Sequence, residues 1–205
     1  MLDDLERDAL TELVNIGVSR AAVSLRKLVR QKIALSVPAI ELMSSAQAAA
    51  VIWQREGNAI VAVAQTLSGA FPGRGMLIFP ADSGSSLAKV LIGDVMGAGD
   101  FKDLEDEALA ETGNIVLNAC FGSMGNMLEK RIHLSTPSVM RGVGMDLFDH
   151  MTSSPDGVVL FLYINFLVDQ LNVRGYIALM MDMPSLRTLK EVIGNFVDRA
   201  LGAAS

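Results

Sequence analysis

The 205-residue chain is 51% apolar and 20% charged, a balance that excludes a disordered tail and supplies a large core. Its 17 basic and 23 acidic residues give a net charge of −6, and an acidic surface repels phosphate backbones, which excludes nucleic acid as an expected partner. One cysteine excludes an intrachain disulfide and fits a cytoplasmic setting.

The opening string MLDDLERDALTEL is charged and has no apolar signal core, so no secretion signal is expected. From residue 3 to 29, Leu5, Ala9, Leu13, Ile16, Val23 and Leu28 recur near helical spacing and predict a long helix. Runs rich in Val, Ile and Leu, punctuated by Gly and Pro, predict strands over 32–42, 49–54, 58–66 and 74–80, with Trp53 as a half-exposed strand residue. A helix over 83–96 closes this half, and Gly97-Ala98-Gly99 is the best junction. Asp103, Glu105, Asp106 and Glu107 suit the start of a second long helix over 103–129. Strands follow over 131–142, 158–168 and 172–182, with Ser153-Ser154-Pro155-Asp156-Gly157 as a turn, and Pro184 suits the first turn of a closing helix over 184–201. The most apolar run, VVLFLYINFLV from Val158, is far shorter than the roughly 20 residues a membrane helix needs.

The two halves repeat each other. Glu12-Leu13-Val14-Asn15-Ile16 reads against Glu111-Thr112-Gly113-Asn114-Ile115, an offset of 99. The same offset carries Lys32-Ile33-Ala34-Leu35-Ser36-Val37-Pro38 onto Arg131-Ile132-His133-Leu134-Ser135-Thr136-Pro137. Gly75-Met76-Leu77-Ile78 pairs with Gly175-Tyr176-Ile177-Ala178, and Ile92-Gly93 with Ile193-Gly194. Residues 1–205 are therefore expected to form one α+β domain of two repeats, about 1–100 and 101–205. Each is a helix–strands–helix unit, and the two share a mostly antiparallel sheet about a pseudo-twofold axis.

Much familiar chemistry is missing from the sequence. There is no Walker loop and no nucleophile elbow, and Gly73-Arg74-Gly75 and Gly142-Val143-Gly144 read as turn glycines. His133 and His150 do not sit at ligand spacing, so no metal site is expected. Cys120 lacks the following arginine that a cysteine phosphatase needs and reads as a buried helical residue. The 12 methionines, Met124, Met127, Met180, Met181 and Met183 among them, read as core fillers.

What remains is a polar stripe. Asp8, Glu12 and Asn15 at i, i+4, i+7 line one face of a helix, and Glu107, Glu111 and Asn114 repeat it. Pro38 follows Asn15 by 23 positions, and Pro137 follows Asn114 by the same count. One such stripe reads first as a solvated helix face. An Asn in mid-helix is a poor helix former with a costly amide, and its placement there twice points beyond solvation.

The pattern of Asp or Ser, three residues, Glu, two residues, Asn, 22 residues and Pro resembles the signature of the CheC family of chemotaxis phosphatases, within the CheC/CheX/FliY superfamily, from which Glu107 departs as a longer acid in the second copy. Asp8, Glu12, Asn15 and Pro38 match it fully; Glu111, Asn114 and Pro137 match it with Glu107 in first place. Leu13-Val14-Asn15-Ile16-Gly17, Gly113-Asn114-Ile115 and Gly75-Met76-Leu77-Ile78-Phe79-Pro80 also resemble that family. Two motif copies point away from the one-site CheX type, and the lack of a following switch domain points away from the longer FliY type.

The resemblance implies hydrolysis of the aspartyl phosphate of a phosphorylated CheY-like response regulator, which supplies its own Mg²⁺ and lysine. Asn15 and Asn114 would place the attacking water, as a glutamine does in GTPases. Glu12 and Glu111 would pair with the regulator's lysine, since a glutamate is anionic near neutral pH. Asp8 reads as a cap or surface acid, Arg20 as part of the docking rim, and Pro38 and Pro137 as structural residues that shape the following strands. The alternative is a non-catalytic adaptor that binds the phospho-regulator, the receptor deamidase CheD, or both.

Overall fold

The computed structural model describes residues 2–29, 32–57, 59–92, 101–143, 148, 157–168 and 171–202. The junction glycines 97–99, His150 and the turn at 153–156 lie outside them. In chain order the elements are α1 (Asp4–Val29), β1 (Ile33–Ser44), α2 (Ser45–Glu56), β2 (Ile60–Gly69), β3 (Gly73–Pro80), α3 (Ala81–Ile92), α4 (Phe101–Met127), β4 (Ile132–Leu134), β5 (Ser138–Gly142), β6 (Val158–Val168), β7 (Leu171–Met181) and α5 (Met183–Gly202).

The strands form one antiparallel sheet in the order β1-β6-β7-β3-β2-β4, with β5 also on β2. At its centre Leu77 of β3 faces Ile177 of β7, two residues that the repeat matches to each other. Met76 then faces Ala178 and Ile78 faces Tyr176, so each step along one strand is mirrored by a step along the other. That is the pairing a twofold axis through the sheet demands. The halves also exchange strands. β1 leaves its own half to pair with β6, and β4 and β5 leave theirs to pair with β2.

Alternation in the strands separates two cores. Val61, Val63 and Leu67 of β2 join α1, α3, α4 and α5 in the larger one, with Leu10, Leu13, Leu87, Leu109, Val116 and Leu189. Ile60, Ala62 and Ala64 turn to the opposite face and pack with Ala48, Ala49 and Ile52 of α2.

Several expectations change in the fold. Residues 49–54 are helical, not a strand. Ser44 and Gln47 close a capping box at the start of α2, and Ala48, Ala49 and Ile52 bury at helical spacing. The local Val-Ile-Trp run mimics a strand, but the cap and the alanines decide. Trp53 is half-exposed, on that helix. The expected strand 131–142 is two short strands, interrupted at Ser135-Thr136-Pro137. In α1, Leu5 and Val23 are 60% and 48% exposed, and the buried stripe is Leu10, Leu13, Val14, Val18, Ala21 and Leu25. Near its start Glu6 is buried instead, capping α1 with Asp3 and paired to Lys190 of α5 at 3.5 Å. Met124, Met180 and Met181 are buried, but Met183 opens α5 and is 41% exposed. The carboxylate of Asp182 caps that helix, and the hydrogen bonds from Ser185 hold it below the usual carboxylate range.

Candidate functional site

Both motif copies lie on long helices that pack against each other. Gly17 of α1 sits so close to α4 that a Cβ there would lie 2.7 Å from the Cys120 Cα. The guanidinium of Arg20 reaches across and donates to the Ser123 hydroxyl at 3.0 Å. Arg20 therefore ties the two helices together, whatever it does at a docking rim. Cys120 is fully buried in this seam, and burial pushes its thiol up to about 12. A thiol held protonated is a packing residue and not a nucleophile.

On α1, Glu12 is exposed and Asn15 is half-buried. The helical spacing brings them together with Ile16, Ser19, Arg20, Val23 and Ser24 around an open depression of about 620 Å³. The Asn15 carboxamide forms no hydrogen bond among the described residues. It presents both a donor and an acceptor. Asp8 is exposed one turn earlier and does not line the depression. The cap of α1 is made by Asp3 and Glu6, so Asp8 is a surface acid.

On α4, Glu107 and Glu111 are exposed and Asn114 is half-buried. Here the local packing is tighter. Gly113 lies on β2, and a Cβ would meet Val63 Cγ1 at 2.4 Å. That close seat sets Asn114 beside Gln65 of β2. The Gln65 amide donates to the Asn114 side-chain oxygen at 3.1 Å and to the Ser135 carbonyl at 2.6 Å. Asn118, one turn along, donates to the same Asn114 oxygen and to the Asn114 backbone carbonyl, both at 2.8 Å. Gln65 and Asn118 went unnoticed in the sequence. The signal that could have found the first is a lone amide inside the apolar run Ile60–Leu67.

Pro38 does not line the depression at Glu12 and Asn15. Pro38 lies within the register shift between Ser36 and Ala39 of β1 and lines a separate cavity of about 270 Å³ with Tyr163 and Arg174. Pro137 lies in the matching break between β4 and β5. Proline lacks the N–H that a continuous ladder would use, so both sit where the ladder slips. Among the described residues no three His, Cys, Asp or Glu side chains gather closely enough to hold a metal ion. No helix among them is long and apolar enough to cross a membrane.

No family model matches the chain. Over 140 residues, 67% of its length, it is 26% identical to the flagellar motor switch phosphatase FliY of Bacillus subtilis (strain 168), covering 36% of that protein. Over 151 residues it is 24% identical to the putative CheY-P phosphatase CheC1 of Halobacterium salinarum, covering 73% of this chain and 76% of that one. The chain thus spans about a third of the first relative's length and three-quarters of the second's. Among solved structures, Thermotoga maritima FliY superposes with a TM-score of 0.75 at 18% identity, over 96% of this chain and 99% of that one. CheX from a CheX–CheY–BeF3–Mg complex of Borrelia burgdorferi superposes at 0.52 with 14% identity, over 84% and 99%. The FliM of a FliG–FliM complex from H. pylori superposes at 0.58 with 8% identity, over 93% and 100%.

The chain thus has an antiparallel sheet with a twofold axis, backing two packed helices that each carry Glu-x-x-Asn. In sequence and in fold the chain is similar to proteins of the CheC/CheX/FliY type.

Proposed function

We propose that the chain is a cytoplasmic protein-aspartyl-phosphate phosphatase acting on a CheY-like response regulator. The observation that carries this reading is the Glu12–Asn15 pair, an exposed carboxylate and an amide that no described residue engages, one turn apart on a long helix. An acyl phosphate is already activated, and the regulator brings its own Mg²⁺ and lysine. Hydrolysis then lacks only a water held in line with phosphorus. The Asn15 amide can accept a hydrogen bond from that water and donate one to a phosphoryl oxygen, with no proton gained or lost. Glu12, and Glu111 in the second copy, would pair with the regulator's lysine and set the depth of insertion. Water attacks phosphorus, the P–O bond to the aspartate breaks, and carboxylate and inorganic phosphate leave.

The second reading is an adaptor for the phospho-regulator or CheD. It is favoured by the likeness to FliM, a protein of the same fold found in complex with FliG. Turnover separates the two. With the chain substoichiometric to a phosphorylated regulator and Mg²⁺ present, a phosphatase clears the whole phospho-pool, and the phosphatase reading predicts that result. An adaptor binds its own equivalent and leaves the remainder decaying at the regulator's intrinsic rate, which would overturn it.

A further inference from the structure

The two copies of the motif are not chemically equivalent, and the difference lies in who holds the asparagine oxygen. An amide oxygen has two lone pairs. At Asn114 both are taken, one by Gln65 and one by Asn118.

The orientation of these amides follows from their surroundings. The Gln65 nitrogen must face the Ser135 carbonyl at 2.6 Å, because turning the amide over would set two acceptors against each other. The Asn118 nitrogen is fixed in the same way by the Asn114 backbone carbonyl at 2.8 Å. Each NH2 group has one proton left, and both remaining protons point at one atom of Asn114. That atom is therefore the oxygen. Gln65 is almost fully buried, at 1% exposure, and its own oxygen has no partner among the described residues. A buried acceptor left unpaired is costly, and here it accompanies two donated bonds.

The first copy lacks both amides, and no described residue donates to the Asn15 side chain. Ser19 stands at the repeat position of Asn118, at the offset of 99. Gln65 faces Gly75 across β2 and β3. Its counterpart is the residue that faces Gly175 across β6 and β7, which is Ile164, an apolar core residue.

We propose that Gln65 and Asn118 are positioning residues that latch Asn114 and leave the second site able to donate a hydrogen bond but not to accept one. This rests on the phosphatase reading above. A latched Asn114 can still donate to a phosphoryl oxygen and aid docking. It cannot orient the attacking water, which needs the oxygen. The site at Asn15 carries the hydrolysis, and the second site becomes hydrolytic when the latch is removed.

The test is a gain of activity in the full chain. The Asn15→Ala variant should keep only a small part of the wild-type acceleration, and Asn114→Ala should keep most of it. Adding Asn118→Ser to Asn15→Ala frees one lone pair by installing the first repeat's residue at an exposed position, so folding is not at stake. It should raise kcat about tenfold over Asn15→Ala with KM unchanged, a split that a merely structural change would not give. Gln65→Ile in the same background should add to this where it folds. Asn15→Ala retaining about half the wild-type rate, or Asn118→Ser leaving the Asn15→Ala rate unchanged, overturns the latch and leaves the phosphatase reading intact. Absence of any acceleration by wild type overturns the phosphatase reading instead. The latch is then read from water exchange of the Gln65 side-chain NH2 protons by NMR. Slow exchange that quickens in Asn114→Ala supports it; equal exchange in both overturns it.

Discussion

A carboxamide suits a site that must order water near phosphorus, because it offers a donor and an acceptor side by side and stays neutral at any physiological pH. The adjacent glutamates can then serve docking alone. Cys120 shows the opposite case, a reactive group made inert by position. Its complete burial in the α1–α4 seam pushes the thiol to about 12, so thiolate is scarce at neutral pH. Iodoacetamide should leave the folded chain unlabelled and label Cys120 on unfolding, and Cys120→Ser should retain phosphatase activity. Rapid labelling of the native chain would show the seam to be open. The Glu-x-x-Asn pairs were legible in the sequence, since helical spacing alone puts their members on one stripe. The bond from Gln65 to Asn114 was not, because Gln65 comes from β2, 49 residues earlier in the chain.

At the scale of elements, the two sites depend on how closely α4 lies on the sheet and on α1. Gly113 rests on Val63, and Gly17 on the Cys120 backbone. Gly113→Ala would push a methyl group to within 2.4 Å of Val63 Cγ1. Overpacking of this kind costs about 1–3 kcal/mol, so the variant should unfold at lower denaturant with an unchanged slope. The lift of α4 should also lengthen the Gln65–Asn114 bond. An unchanged midpoint would mean that the helix shifts freely. Element reading from sequence worked where amphipathic period and repetition agreed, as in α1, α4 and α5. It failed at α2, where Val51, Ile52 and Trp53 look like a strand and only the Ser44–Gln47 box marks a helix start. It also missed the break at Pro137. Its counterpart Pro38 is absorbed as a register shift within one continuous strand, so the same residue gives two outcomes.

For the whole molecule, the offset of 99 revealed the duplication, but the exchange of strands was invisible. That β1 pairs with β6, while β4 and β5 pair with β2, depends on long-range contacts that no local pattern encodes. The exchange has a thermodynamic consequence. Neither half holds a complete sheet of its own, so the chain should unfold in one transition by both far-ultraviolet circular dichroism and Trp53 fluorescence. Two separated transitions would show halves that fold alone. The twofold axis also sets the two asparagines on equivalent helices, but their surroundings differ, since Gln65 and Asn118 both donate to the Asn114 side-chain oxygen. The most direct test of the account is the dephosphorylation rate of a phosphorylated CheY-like regulator with wild type and with the Asn15→Ala/Asn114→Ala double variant, each at saturating concentration after its binding has been measured. Water positioning lowers barriers by several kcal/mol, so the account predicts retained binding and a loss of about tenfold to a thousandfold in rate. Retained binding with a loss of less than about twofold would contradict it.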